Sequence, residues 1–276
     1  MIRKHKIAIQ GAESSFHHLA AKKLFGENVL TENCHSFEEV CQNIKANNAD
    51  YGVMAIENLL TGCILTNYYL IEKYDLNIIG ETKLPISLHL LGTPNSSIEN
   101  IKKVISHPIA LAQCNKLISA NPWETEQVSD TATSAREIAE KNDQTVAAIA
   151  NETMAEQFSL KVLQKEVQNL TNNYTRFLVL SNKKVKNDQA NKACVSFNLE
   201  HAHGSLVKAL QIVADHEINL SKIQSVPIPN TEDSYTIFMD IEWTSTINPE
   251  TALQALSEQV QNFNILGTYI KDKMIS

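Results

Sequence analysis

The chain has 276 residues, 43% apolar and 20% charged, with only 8 glycines and 7 prolines, which suits one large or two ordinary soluble domains. A net charge of -7 argues against nucleic acid as the main partner, so attraction for any anionic ligand must be local. Five cysteines without a CxxC pair fit a reducing cytoplasm and exclude a disulfide framework or zinc site, and the absence of a long apolar run excludes a membrane span or signal peptide.

Lys6–Gln10 reads as a short strand broken by Gly11, and residues 15–25 carry a helical apolar pattern ending at Gly26. A second helix opens at Ser36, with Glu39 three residues on as a capping box. Residues 51–56 form a strand with Glu57 and Asn58 at its carboxyl end. Residues 76–91 are extended around Pro85. Pro108 is placed for the first turn of a helix reaching about Ile118, and Asp130 or Thr131 caps another ending near Lys141. Residues 145–150 return to a strand, and a polar run ending in Thr175-Arg176 enters the apolar strand that follows. Alternating strands and helices through residue 181 indicate an α/β layer architecture.

Residues 181–192 are polar, charged and without apolar period, and read as a linker. Beyond them the pattern gives strand 193–200, helix 204–215, strands 219–228 and 233–243, helix 250–261 and strand 263–270. That order is the ferredoxin-like βαββαβ arrangement. Two domains are therefore expected, residues 1–182 and 193–276.

Ligands of open α/β sheets collect beyond strand carboxyl ends, often at helix N-termini. Four polar segments fall at such places: Gly11–His18, Glu57–Gly62, Ser106–Pro108 and Asn172–Arg176. Each has a plainer reading as caps, turn residues or a paired structural charge. Of 24 lysines and arginines only Arg3, Arg136 and Arg176 are arginines, and Arg176 offers a planar fork suited to a carboxylate.

Asn172-Asn-Tyr-Thr-Arg-Phe177 resembles the Asn-x-Thr-Arg-Phe motif of prephenate dehydratases. Gly11–Phe16 resembles their Gly-x-x-Gly-Ser-Phe turn, and Ile56–Gly62 their Ile-Glu-Asn-Ser-x-x-Gly segment. Residues 107–114 resemble their His-x-x-Ala-Leu-x-Gln-Cys helix start, and residues 130–135 with the strand 147–150 a further pair of motifs. The tail, through residues 203–206 and 219–227, is similar to a phenylalanine-sensing ACT domain.

The resemblance implies a two-lobed, periplasmic-binding-protein-like α/β catalytic domain joined to a ferredoxin-like ACT domain. It implies conversion of prephenate to phenylpyruvate in a cytoplasmic homodimer or homotetramer, without cofactor, metal, nucleic acid or membrane, and with L-phenylalanine as feedback effector. On this resemblance Thr175, Arg176 and Glu57 are the expected catalytic residues, Thr175 donating to the departing hydroxyl and Arg176 the nearby cation. Glu57 would order the pocket, since a carboxylate facing a dianion is repulsive unless paired. Ser15, His17, Asn58, Thr61, Gly62, His107, Gln113, Asn173 and Phe177 would line the substrate site. His203, Gly204, Ser205, Leu206, Asn219, Leu220, Gln224, Ser225 and Pro227 would bind the effector.

The chain departs from the pattern at several positions. Ser14 stands where the turn has glycine, His17 where a small hydroxyl residue is usual, and Leu59 where serine follows Glu-Asn. Gln224-Ser-Val-Pro227 stands where many relatives have Glu-Ser-Arg-Pro, with both charges lost. Arogenate dehydration and a non-catalytic amino-acid-binding regulator are the alternative functions. A fused chorismate mutase is not expected, because the first strand begins almost at once.

Overall fold

The computed structural model describes residues 5–199, 202–228 and 234–272. The first lobe contains β1 (Lys6–Gln10), α1 (Phe16–Phe25), β2 (Leu30–Cys34), α2 (Phe37–Lys45), β3 (Tyr51–Asn58), β4 (Gly62–Cys63), α3 (Leu65–Lys73) and β5 (Asn77–Pro85). The second holds β6 (His89–Gly92), β7 (Lys103–Ser106), α4 (Pro108–Gln113), α5 (Asn115–Ser119), β8 (Glu124–Gln127), α6 (Thr131–Lys141), β9 (Val146–Ala150), α7 (Glu152–Gln157) and β10 (Lys161–Gln164). The chain then returns as β11 (Tyr174–Ser181), which inserts antiparallel between β3 and β5 in the sheet order β2-β1-β3-β11-β5. The second sheet has the order β10-β6-β9-β7-β8.

Two extended crossings join the lobes. Ile86 N–H donates to the Asn173 carbonyl, Leu88 N–H to Gln168 Oε1 and Val167 N–H to the Leu88 carbonyl. Backbone that leaves a sheet must find partners elsewhere, and here the outgoing and returning strands supply them for each other.

The expected helix from Pro108 to Ile118 is broken at Cys114, whose backbone (φ -112°, ψ 17°) leaves helical geometry and divides it into α4 and α5. The Ser36 capping box forms with a shift of one residue. Ser36 Oγ accepts from Glu39 N–H, while the Glu39 carboxylate reaches His35 N–H rather than that of the cap.

The C-terminal part folds as β12 (Lys192–Asn198), α8 (Ser205–Asp215), β13 (Asn219–Pro227), β14 (Tyr235–Glu242), α9 (Pro249–Gln259) and β15 (Gln261–Tyr269). Its antiparallel sheet has the order β13-β14-β12-β15, the ferredoxin-like arrangement. Residues 200 and 233, expected at strand ends, lie outside the described residues.

Strand alternation divides this sheet between two cores. Ala193, Val195, Ile237, Met239 and Ile241 pack among the apolar residues of α8 and α9. Cys194, Phe238, Leu266 and Tyr269 instead join Met54, Tyr68, Ile78 and Leu178 of the first lobe in one continuous apolar cluster. Contact is closest at Gly267, where a Cβ would lie 1.9 Å from the Ile78 carbonyl oxygen, so no side chain fits.

Candidate active site

A cavity of about 590 Å³ lies between the lobes, at the carboxyl ends of β1, β3 and β7. This is where open α/β sheets bind ligands. Four helix N-termini open onto it. Ser15 caps α1, Ser36 caps α2, His107 caps α4 and Asp130 caps α6, and every one of these caps lines the cavity. Each cap satisfies one orphan N–H of its first turn, the remaining amides point toward the cleft, and among the described residues the one charged side chain in the lining is the Asp130 carboxylate. Among the described residues, no lysine or arginine lines it. A dianion placed here would rest on neutral donors and helix ends.

One wall is set by a bulge. β11 pairs with β3 through Thr175–Asn58 and Arg176–Glu57, but Phe177 then pairs with Ala55, so Ile56 is the extra residue. Cross-strand partners share a face, and a bulge changes the phase of alternation. Without it Glu57 would follow Ala55 toward the cleft. With it Asn58 takes that place beside Thr175, and Glu57 goes to the opposite face with Arg176.

Asn58 organises this wall. Its Oδ1 accepts from the N–H groups of Leu60 and Thr61 (3.1 Å each), an Asx turn that fixes which way the amide faces. Its Nδ2 therefore points to Asn173 Oδ1 (2.9 Å), the Tyr174 carbonyl (3.1 Å) and Thr175 Oγ1 (3.0 Å). Because Thr175 Oγ1 accepts from Asn58, its own hydrogen remains available to donate into the cleft. Asn173 also donates to Gln113 Oε1 at 3.4 Å, tying the α4 end of the second lobe to this cluster.

Of the residues expected at the substrate site, Ser15, His17, Asn58, Thr61, His107, Gln113 and Phe177 line the cavity, as does the expected catalytic Thr175. Asn173 is buried behind Asn58. Gly62 is not part of the lining; its positive φ of 83° serves the hairpin to β4. Leu59 is exposed and also outside the lining, so the serine it replaces takes nothing from this cavity wall.

Two expected catalytic residues stand elsewhere. Adjacent residues of a strand face opposite ways, so Arg176 projects away from Thr175 into the junction with the ferredoxin-like domain. There it bonds Glu81 Oε2 at 2.7 Å, Tyr269 Oη at 3.0 Å and the Asp240 carboxylate. It is 2% exposed and cannot be a cation of the cleft in this arrangement. Glu57 pairs with the Lys222 ammonium of β13 and lies 3.9 Å from Arg176 Nη1. The expectation that Arg176 is a cation of the cleft is corrected by this strand pairing, whereas Glu57 is paired and turned from the cleft, as its repulsion of a dianion requires.

Sequence reasoning missed the α2 start (His35 to Phe37), the α6 cap (Ser129 to Thr131) and Ile86 with Leu88 in the crossing. The cap signals at Ser36 and Asp130 were legible. What they lacked was any sign that both helices begin on one cavity.

Ser14 adopts φ 61°, the left-handed region that favours glycine, and its N–H donates to His18 Nδ1 at 2.7 Å. His18 is one of four histidines that accept a backbone N–H. His17 Nε2 takes that of Ala55 (3.3 Å), His107 Nδ1 that of Ile109 (3.2 Å) and His89 Nδ1 that of Glu166 (3.2 Å). Burial lowers the pKa of all four below the ordinary 6.5, that of His17 to about 4. The unfolded chain therefore binds more protons as pH falls below 6.5. Stability from these rings is complete above about pH 6.5 and is lost as pH falls toward 4. The melting temperature should thus drop clearly between pH 7 and pH 4.5; a flat profile would show that the four rings stay neutral at no cost.

A two-lobed α/β domain with a helix-capped cleft, joined to a ferredoxin-like domain, defines the class. The family model described as prephenate dehydratase matches residues 7–185, so the chain belongs to the prephenate dehydratase family. A bifunctional chorismate mutase/prephenate dehydratase of Aquifex aeolicus (strain VF5) is 34% identical over 271 residues, covering 98% of this chain and 74% of that protein. A prephenate dehydratase from Arthrobacter aurescens, solved in complex with L-Phe, superposes with a TM-score of 0.86 at 26% identity, over 96% of this chain and 90% of that one. GqqA, described as a novel type of quorum quenching acylase, superposes with a TM-score of 0.88 at 25% identity, over 98% and 100%.

Proposed function

We propose that the cleft converts prephenate to phenylpyruvate with Thr175 as the donor to the departing hydroxyl. The observation that carries this reading is the Asn58 Nδ2 donation to Thr175 Oγ1, which leaves that hydroxyl's own hydrogen to give in a cleft where four helices begin. In the reaction the electron pair of the bond to the ring carboxylate moves into the ring, carbon dioxide departs, and the C–O bond breaks. Hydroxide takes a proton and leaves as water, and the ring becomes aromatic, so no electron sink is needed. A threonine hydroxyl is too weak an acid for efficient protonation on its own. It acts as a positioned donor to an oxygen that gains charge in the transition state, where such donors matter most. Ser15, Thr61, Gln113 and the ring of His107 orient the two carboxylates together with the helix ends. His107 accepts from Ile109 through Nδ1, which leaves an Nε2–H donor.

The assignment extends to a cytoplasmic homo-oligomer regulated by L-phenylalanine through the C-terminal domain. β13 is an edge strand with exposed Ile223, and edge strands are templates for pairing with a second copy. The expected effector residues lie at the start of α8, where Gly204 has φ 78°, and along β13. A chain of contacts supports this reading: Lys222 of β13 holds Glu57, the neighbour of Asn58, and Asn58 holds Thr175.

Acyl transfer of the kind named for GqqA would use a nucleophile paired with a base. Among the described residues, no hydroxyl lining the cleft is hydrogen-bonded to a histidine lining it. The test is turnover of prephenate by purified protein with and without L-phenylalanine, beside arogenate as a second substrate. Phenylpyruvate formed from prephenate and suppressed by phenylalanine is expected. Turnover of arogenate alone would reassign the substrate. A folded protein inactive on both would mark a non-catalytic binding protein, and saturating phenylalanine without effect on rate or melting would remove the regulatory part.

A further inference from the structure

His17 lines the cleft, and the structure gives its ring two separable duties. It occupies the second position of α1, after the Ser15 cap and Phe16. The β1–β3 ladder ends at Ile9–Val53, so beyond it the backbone of β3 needs other partners. His17 Nε2 accepts the Ala55 N–H, while Asn67 Nδ2 donates to the Ala55 carbonyl. A backbone N–H can only donate, so Nε2 must be bare and the proton of the neutral ring sits on Nδ1. Phe37 and Phe177 hold the ring from two sides, with centroids 5.4 Å and 5.1 Å away. Among the described residues Nδ1 has no hydrogen-bond partner, nor is it a sealed, unsatisfied atom of the core.

We propose that His17 is a positioning residue for the reaction, donating a hydrogen bond from Nδ1 to an anionic oxygen of the bound substrate. Burial, the helix N-terminus and the acceptor duty of Nε2 all oppose an imidazolium here. The ring is therefore a neutral donor of fixed tautomer throughout the neutral pH range. That suits a cleft whose lining holds no lysine or arginine among the described residues. The donor does not touch the breaking bonds, so it should act on substrate affinity rather than on the chemical step.

This inference rests on the reading of the cleft as a prephenate site, and the test separates the two. The amide of glutamine overlays imidazole Nε2 and that of asparagine overlays Nδ1, so each variant keeps one duty. For His17→Gln we expect a near-wild-type melting temperature, a KM for prephenate raised about tenfold and little change in kcat. For His17→Asn we expect a lower melting temperature, since the Ala55 N–H loses its acceptor, with KM within about threefold of wild type. A wild-type KM in His17→Gln would overturn the inference, as would losses of activity that simply follow melting temperature in both variants. Should His17→Asn not fold, His17→Gln alone decides. A wild type that forms no phenylpyruvate would remove the reading of the cleft, and this inference with it.

Discussion

Replacing Arg176 by alanine should destabilise the protein by about 3–5 kcal/mol, the usual cost of removing one partner from a buried ion network. The guanidinium closes a buried cluster assembled from both domains. Glu81 comes from β5, Lys192 from β12, Asp240 from β14 and Tyr269 from β15. Lys192 Nζ lies 3.1 Å from Glu81 Oε2, 3.2 Å from Glu242 Oε1 and 4.0 Å from Asp240 Oδ2. With arginine present, two cations face the two fully buried carboxylates of Glu81 and Asp240. Without it Lys192 alone would face both, and an unpaired buried carboxylate is far more costly than a lost surface pair. Since domains are typically stable by only about 5–15 kcal/mol, the variant should unfold much earlier in urea or be recovered largely insoluble. Arg176→Lys should rescue little, because one ammonium cannot bridge Glu81, Asp240 and Tyr269 in the plane that the fork provides. An unfolding midpoint unchanged in the alanine variant would show that the junction contributes little to stability. This expectation is opposite in kind to that of a substrate-binding arginine, whose loss would raise KM and leave melting intact.

The contrast shows where sequence reading reached its limit. Thr175 and Arg176 are adjacent in the motif, and resemblance suggests a shared role. Strand alternation alone assigns them to opposite faces, an inference the sequence permitted. The position of Glu57 was not accessible that way. Its face is reversed by the bulge at Ile56, and nothing in the apolar run before it marks an extra residue. The helices at Phe16, Phe37, Pro108 and Thr131 were legible from their caps, and the βαββαβ tail from its alternation and spacing. β2 was not, because Leu30–Cys34 (LTENC) has no alternating pattern and only Cys34 is buried. The cleft itself depends on two sheets brought together by residues 85–88 and 167–173, which no local pattern encodes. What the sequence did carry was Thr175, the residue proposed as the donor at its centre.

Thr175→Val should lower kcat by roughly 10²–10³-fold, the range for removing one preorganised donor from a developing oxyanion. Valine keeps the β-branched shape that suits β11 and fills nearly the same volume, so the strand and its neighbour Phe177 should stay in place. Asn58 would lose one acceptor yet retain Asn173 Oδ1 and the Tyr174 carbonyl, and its Oδ1 would keep the turn to Leu60 and Thr61. The stability cost should accordingly be about 1 kcal/mol, the net worth of one hydrogen bond. Thr175→Ser preserves the hydroxyl and should retain turnover within about tenfold, its looser χ1 accounting for the remainder. KM should move little in either variant if the hydroxyl binds the leaving oxygen mainly as charge develops. Steady-state turnover of prephenate with melting curves on the same preparations distinguishes the cases. A valine variant keeping more than a tenth of wild-type kcat would exclude the hydroxyl as the donor. Attention would then pass to the other donors that line the cleft, Ser15, Thr61 and His107 among them.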